Sequence, residues 1–315
     1  MNDRMKLSIL VVLALVLIGG FMFIDVGDDW AYVLPRRGEK IIAIVLTGGS
    51  VAFSTVIFQT MTNNKILTPS IIGLDSLYML IQTVIVFVFG STTLTMMDQN
   101  VHFLLSVGLM VLFSGVLFKI LFNREGRNIY FLLLVGLIFG TFFQSISSFM
   151  EVLIAPNEFM MVRDKMFASF NNVNTDILIL AIVAVLSVVV YFLKFSKYLD
   201  VLALGKEHAV NLGVNYDCVV KRLLVIVAIL VSISTALVGP ITFLGLLVAN
   251  VTYQILHTYQ HQSLIAGAIL VSIIALVGGQ LIVEHVFVFS TTISVIINLV
   301  GGIYFIYLLL KGRGS

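Results

Sequence analysis

The chain has 315 residues, of which 60% are hydrophobic and only 11% charged, and it carries a net charge of +2. A water-soluble domain of this size carries about 25% charged residues, so with a mean hydropathy of +1.11 most of this surface faces lipid. The near-neutral balance excludes a nucleic-acid partner, and Cys218, the single cysteine, excludes an intrachain disulfide or a multi-cysteine metal site.

The pattern predicts an all-α integral membrane protein, with residues 1–315 forming one transmembrane domain of about ten helices. The first predicted span covers 7–24. Arg4 and Lys6 precede it as in a secretory signal, but Asp25, Asp28, Asp29 and Trp30 follow where a small-residue cleavage site belongs, so it reads as retained. The next spans are expected at 41–61, 72–90, 102–122, 130–150 and 176–195. Four more follow at 222–238, 242–257, 263–283 and 292–310. Gly239 and Pro240 break an otherwise continuous apolar run and separate the seventh span from the eighth.

Charge sets the orientation. With ten spans and both termini in the cytoplasm, all but five of the 18 Lys and Arg residues fall inside, among them Arg124, Arg127, Lys311 and Arg313. The five outside are Arg36, Arg37, Lys40, Arg163 and Lys165, and the positive-inside rule favours this arrangement over its inverse.

Two connections have patterned content. The external one, about 151–175, mixes Phe159, Met160, Met161, Phe167 and Phe170 with Arg163, Asp164 and Lys165, which suits a short helix at the membrane face. The cytoplasmic one, about 196–221, is amphipathic and broken at Gly205 and Gly213, so two short helices are expected there. A passive connector has no need of such apolar content, whereas a docking surface does.

Chemistry within the spans is sparse. Asp75, His102 and Glu284 lie near span ends and read as interfacial side chains reaching water. An ion-coupled carrier, the alternative function, needs buried acids or a relay to bind its coupling ion, and no run of acids and histidines is present. A membrane-embedded enzyme is further off. His208, His257, His261 and His285 lie in loops, and although His257 and His261 are four apart, no acid intervenes to make a metal pair. No catalytic or metal-binding residue is expected. With no GxxxxGK[ST] sequence, any ATP used is hydrolysed by another polypeptide. Gly136 and Gly140, with the pairs Gly48–Gly49, Gly278–Gly279 and Gly301–Gly302, mark close helix packing.

Four segments together resemble the permease family of iron-siderophore, haem and cobalamin ABC importers. Leu34, Pro35 and Arg36, followed by Arg37, are similar to the family's RLPR motif. NKILTPSIIGLDS, from Asn64 to Ser76, looks like its NPLADPxxLGxxxG pattern. LALGKEHAVNLGV, Leu202 to Val214, resembles its cytoplasmic LALG segment, and GPITFLGLLVAN, Gly239 to Asn250, resembles GPIxFxGLxxPH. MFASFNNVNTD, from Met166 to Asp176, is similar to an external element of permeases for catecholate-type siderophores in Gram-positive bacteria. The sequence departs from the pattern at Ala249 and Asn250 in place of Pro-His, at Tyr253 in place of Arg, and at Gln280 and Glu284 in place of an acid–Arg pair. Leu77 and Tyr78 replace a Gly-Ala.

The resemblance implies a type II ABC importer permease that moves ferric siderophore. It also implies a second permease subunit, identical or paralogous, ATP-binding subunits below and a siderophore-binding lipoprotein outside. ATP and Mg would sit on the partner ATPase and no cofactor on this chain. Leu204, Gly205, Lys206, Glu207, Ala209, Leu212 and Gly213 would couple to the ATPase. Arg36, Arg37, Arg163 and Lys165 would face the binding protein or its anionic cargo. Pro69, Gly73, Gly239, Pro240, Phe243, Gly245 and Asn298 would shape the pathway. Ser294, Thr291 and Thr292 beside Asn298, and Gln144, Ser145 and Ser148 in the fifth span, are further candidates to line it.

Overall fold

The computed structural model describes residues 3–26, 29–90, 97–122, 129–171, 173–289 and 291–312; Arg124, Arg127 and Arg313, which entered the charge count, lie outside them. Among the described residues the chain is all-helical, with thirteen α-helices and one 3-10 turn. In chain order these are α1 (Asp3–Phe23), α2 (Trp30–Thr62), the 3-10 turn Pro69–Ile72, α3 (Leu74–Phe89), α4 (Gln99–Phe122), α5 (Ile129–Leu153) and α6 (Pro156–Met166). There follow α7 (Thr175–Phe192), α8 (Ser196–Leu202), α9 (Lys206–Asn211), α10 (Tyr216–Val238), α11 (Leu244–Ile255), α12 (His261–His285) and α13 (Ile293–Gly312).

Seven of them, α1, α2, α4, α5, α7, α10 and α12, are long and apolar enough to cross a bilayer core; α3 and α11 are apolar but shorter, and α13 is apolar over Ile293–Leu308. Two of the shorter ones have a visible cause. The chain reaches α3 through the 3-10 turn at Pro69, and Gly239 stops α10 before α11 begins at Leu244. Proline at the head of a helix lacks the N–H a preceding turn would use, and Gly239 sits at φ +101°, where a helix cannot continue. The expected break between the seventh and eighth spans is therefore present.

One boundary differs from expectation. Helix α2 begins at Trp30 rather than near 41, and Pro35 is inside it, so Arg36 and Arg37 ride on the helix. Charged and proline-bearing turns lower hydropathy without breaking a helix whose inner face is packed, and the composition of 30–40 hid this extension.

The bundle is built around α2, α10 and α12. α10 and α12 are the helices against which α2 packs most extensively. The most apolar stretch of α10 is 72% buried, against 17% for α1 and α7, which lie on the rim and present apolar faces outward. In lipid such faces carry no solvation penalty, so their exposure marks the membrane surface. Besides two small clusters, the described residues form two large apolar cores. One joins α2, α3, α4, α5 and α10 to the undersides of α8 and α9; the other joins α1, α2, α11, α12 and α13.

Candidate functional site

The face carrying α8 and α9 is built from its turns. Phe195 links α7 to α8, and Leu199 and Leu202 of α8 are buried in the first core. Gly205, at φ +93°, lets the chain reverse into α9, and Gly213, at φ +81°, releases it toward α10. A side chain at either position would be strained even though the space around both is open. Asn215 then caps α10, its side chain accepting the Cys218 amide at 3.2 Å. Both expected short helices and both glycine breaks are thus present.

Of the candidate coupling residues, Leu204 and Leu212 are exposed, 56% and 63%, together with Val210 at 50%. Glu207 is exposed beside them. Ala209 is fully buried and seats α9 on the core. Lys206 is engaged within the chain: its ammonium lies 3.3 Å from Asp217 and above the Tyr216 ring. Three large exposed aliphatic side chains on one connecting segment, with Glu207 among them, give it the composition of a docking surface.

Behind this segment is a cluster that the sequence reading did not single out. Asp200, in α8, accepts the backbone N–H of His261 at 3.0 Å and its Nδ1 at 2.6 Å. The Nε2 of His261 lies 2.9 Å from Thr60 Oγ1, in the last turn of α2. Burial opposes the Asp200 charge, but the side-chain and backbone hydrogen bonds from His261 and its charge outweigh burial and hold the carboxyl below the ordinary value. The expectation that His261 lies in a loop is corrected: it is the first residue of α12 and is buried.

The neighbouring loop explains two departures from the family pattern. Asn250 Nδ2 and Gln59 Nε2 both donate to the Lys65 carbonyl, at 2.9 and 2.7 Å. Lys65 Nζ in turn lies 5.0 Å from the centre of the Tyr253 ring. Asn250 and Tyr253 thus clamp the 63–68 loop to α11.

The pathway candidates serve mainly as packing. At Gly73, φ +85°, a Cβ would come within 3.0 Å of the Gly136 carbonyl and of Gly140. A Cβ on Gly136 would lie 2.8 Å from Ile72 Cα. The GxxxG of α5 is the seat of the Pro69–Gly73 turn. On the opposite side Gly239 touches Ala168, and the Val238 carbonyl accepts the Ser169 amide at 2.9 Å, joining GPITF to MFASF. Pro240 follows in the same break, and Gly245 lies so close to Thr55 that no Cβ fits. Asn298 Oδ1 accepts the Phe243 amide at 3.4 Å, and Ser294 Oγ accepts the Ala168 amide at 3.1 Å. Gln144, Ser145 and Ser148 are exposed on α5. Asp75 is not interfacial in the expected sense. Thr235 donates to its Oδ1 at 3.2 Å, and its Oδ2 is enclosed between α3 and α10.

On the opposite face, Arg36 is exposed and its guanidinium lies 4.4 Å over the Tyr32 ring. Arg37 turns inward. It donates to the carbonyls of Phe21, Met22, Ile24 and Asp25 at 2.6 to 3.3 Å, satisfying the open end of α1. Arg163 and Lys165 are exposed on α6, the short helix expected between 151 and 175. Phe170, expected at the membrane face, is instead 1% exposed within the second core. Lys40 and Glu284 pair at 3.0 Å, and Gln280 donates to Glu284 at 2.9 Å and to Asn171 at 3.3 Å. The positions that depart from the expected acid–Arg pair thus find their cation on α2.

A bundle of apolar helices with two short glycine-hinged helices on one face and a charged rim on the other is the architecture of a multi-pass membrane permease. The chain belongs to the FecCD transport family, which matches residues 6–311. It is 65% identical, over the whole of both chains, to Petrobactin import system permease protein YclO of Bacillus subtilis (strain 168). It is 41% identical to Petrobactin import system permease protein FatC of Bacillus anthracis, over 89% of this chain and 79% of that protein. A solved chain described as an inward-facing conformation of a metal-chelate type ABC transporter shares the fold, with a TM-score of 0.83 at 21% identity, over 98% of this chain and 100% of the other. This is a transport permease, not an enzyme.

Proposed function

We propose that this chain is the permease subunit of an ATP-driven importer in the cytoplasmic membrane, carrying a ferric siderophore, with petrobactin, the substrate in the names of its relatives, as the first candidate. Ten spans with both termini inside account for the seven long and three shorter apolar helices together with the charge distribution. The observation that carries the reading is the exposure of Leu204, Val210 and Leu212 along a segment turned by Gly205 and Gly213, both at positive φ. ATP-binding subunits would grip these side chains and Glu207. A second permease, identical or paralogous, would complete the pathway, with Gln144, Ser145 and Ser148 on the exposed side of α5 facing it. On the other side Arg36, with Arg163 and Lys165, would meet the carboxylates of a siderophore-binding lipoprotein, since guanidinium forks match carboxylates bidentately. Arg37, committed to α1, contributes there by holding the rim.

The test is reconstitution of the full complex in proteoliposomes with ferric petrobactin outside. Uptake should require ATP, and Gly205→Val with Glu207→Ala should lower it by about tenfold while the complex remains inserted, the scale of a coupling loss. Vesicles containing this chain alone that accumulate cargo on a proton or sodium gradient would overturn the reading in favour of an ion-coupled carrier.

A further inference from the structure

We infer that His261 is the positioning residue through which the α8–α9 segment moves the transmembrane helices, an inference that rests on the coupling role proposed above. The ring is held on both sides: Nε2 of His261 lies 2.9 Å from Thr60 Oγ1, whose hydroxyl is also 2.8 Å from the Val56 carbonyl, and Nδ1 lies 2.6 Å from the Asp200 carboxylate. The Asp200 carboxylate accepts in addition the first amide of α12, where helices have unsatisfied N–H groups. A residue 61 positions away thus caps α12 while the ring ties the same point to α2.

Apolar contacts from Leu199 and Leu202 already hold α8 against the bundle. Such contacts let surfaces slide. Charge-assisted hydrogen bonds aimed at a helix end resist displacement along its axis. The connection that leads into α12 is held from α1, where Lys6 donates to the carbonyl of Ile255 at the end of α11, at 2.7 Å.

At its other end α12 is fastened again. Glu284, 9% exposed, pairs with Lys40 of α2. Helices α2 and α12 are therefore joined by polar contacts at both faces, and the 25 residues of α12 span about 37 Å between them. A push on Asp200 is delivered to the far rim as motion of one rigid pair. A two-state element that both faces bias is what long-range coupling requires.

The experiment uses the complete complex with its ATPase and binding protein in proteoliposomes, measuring ATP hydrolysed per ferric petrobactin imported. Asp200→Asn and His261→Phe should each raise that ratio by about tenfold, and the double variant should be no worse than His261→Phe, because both weaken the Asp200–ring contact and asparagine keeps an oxygen for the α12 amide. His261→Arg, which offers donors to both partners, should restore a ratio close to wild type. Wild-type ratios in Asp200→Asn and His261→Phe, losses that multiply in the double variant, or no rescue by arginine would overturn the strut. Asp200 is 59% exposed, so its asparagine variant decides the matter alone if His261→Phe does not insert. A wild-type complex that imports nothing on ATP overturns the proposed function instead.

Discussion

Arg36 and Arg37 are adjacent in sequence and have opposite surroundings. Helical geometry turns consecutive side chains about 100° apart, so one faces outward over Tyr32 while the other reaches the end of α1. Arg37→Ala should destabilise the protein by about 2 kcal/mol, the scale of hydrogen bonds from a charged group, read as a lowered unfolding temperature in detergent. Arg36→Glu should leave that temperature unchanged and weaken binding-protein affinity in a salt-dependent way. Asp200 makes a pH prediction. Its folded-state carboxyl is held below the ordinary value, so the link stabilises above the unfolded-state value and is lost as pH falls through the folded one. The stability difference between wild type and Asp200→Asn should be full above about pH 4 and should shrink below that.

At the scale of elements, glycines divide into those that seat a neighbour and those that face open space. Gly136→Ala gains up to about 1 kcal/mol of helix propensity. It also drives a Cβ to 2.8 Å from the Ile72 backbone, and overpacking of that kind costs about 1–3 kcal/mol. The contact dominates, so a net loss of stability is expected. Gly108, with nothing within 4 Å of a built Cβ, should tolerate alanine without loss. Thermal unfolding of the two variants side by side checks both. The short helices α8 and α9 show the same division: Ala209 is buried to seat α9, while Leu204 and Leu212 remain outside. Amphipathic spacing announced both helices, but which apolar residues turn inward follows from how α8 and α9 meet the underside of α2 and α10.

Over the whole molecule, hydropathy and charge were enough to read a multi-pass helical protein, because bilayer thickness fixes helix length and lipid forces every backbone group to bond within its own segment. The glycine breaks at 205, 213 and 239 were equally legible, since left-handed backbone is a local property that one residue type adopts freely. The start of α2 at Trp30, the inward turn of Phe170 and the cap on α1 were not. Nor were the fastenings at the two ends of α12, whose partners lie 61 and 244 positions apart in the chain. Periodicity reports what a residue prefers to face, water, lipid or core. Which particular charge meets it across a helix end is settled when the bundle closes, since only tertiary packing brings together groups that no sequence spacing relates.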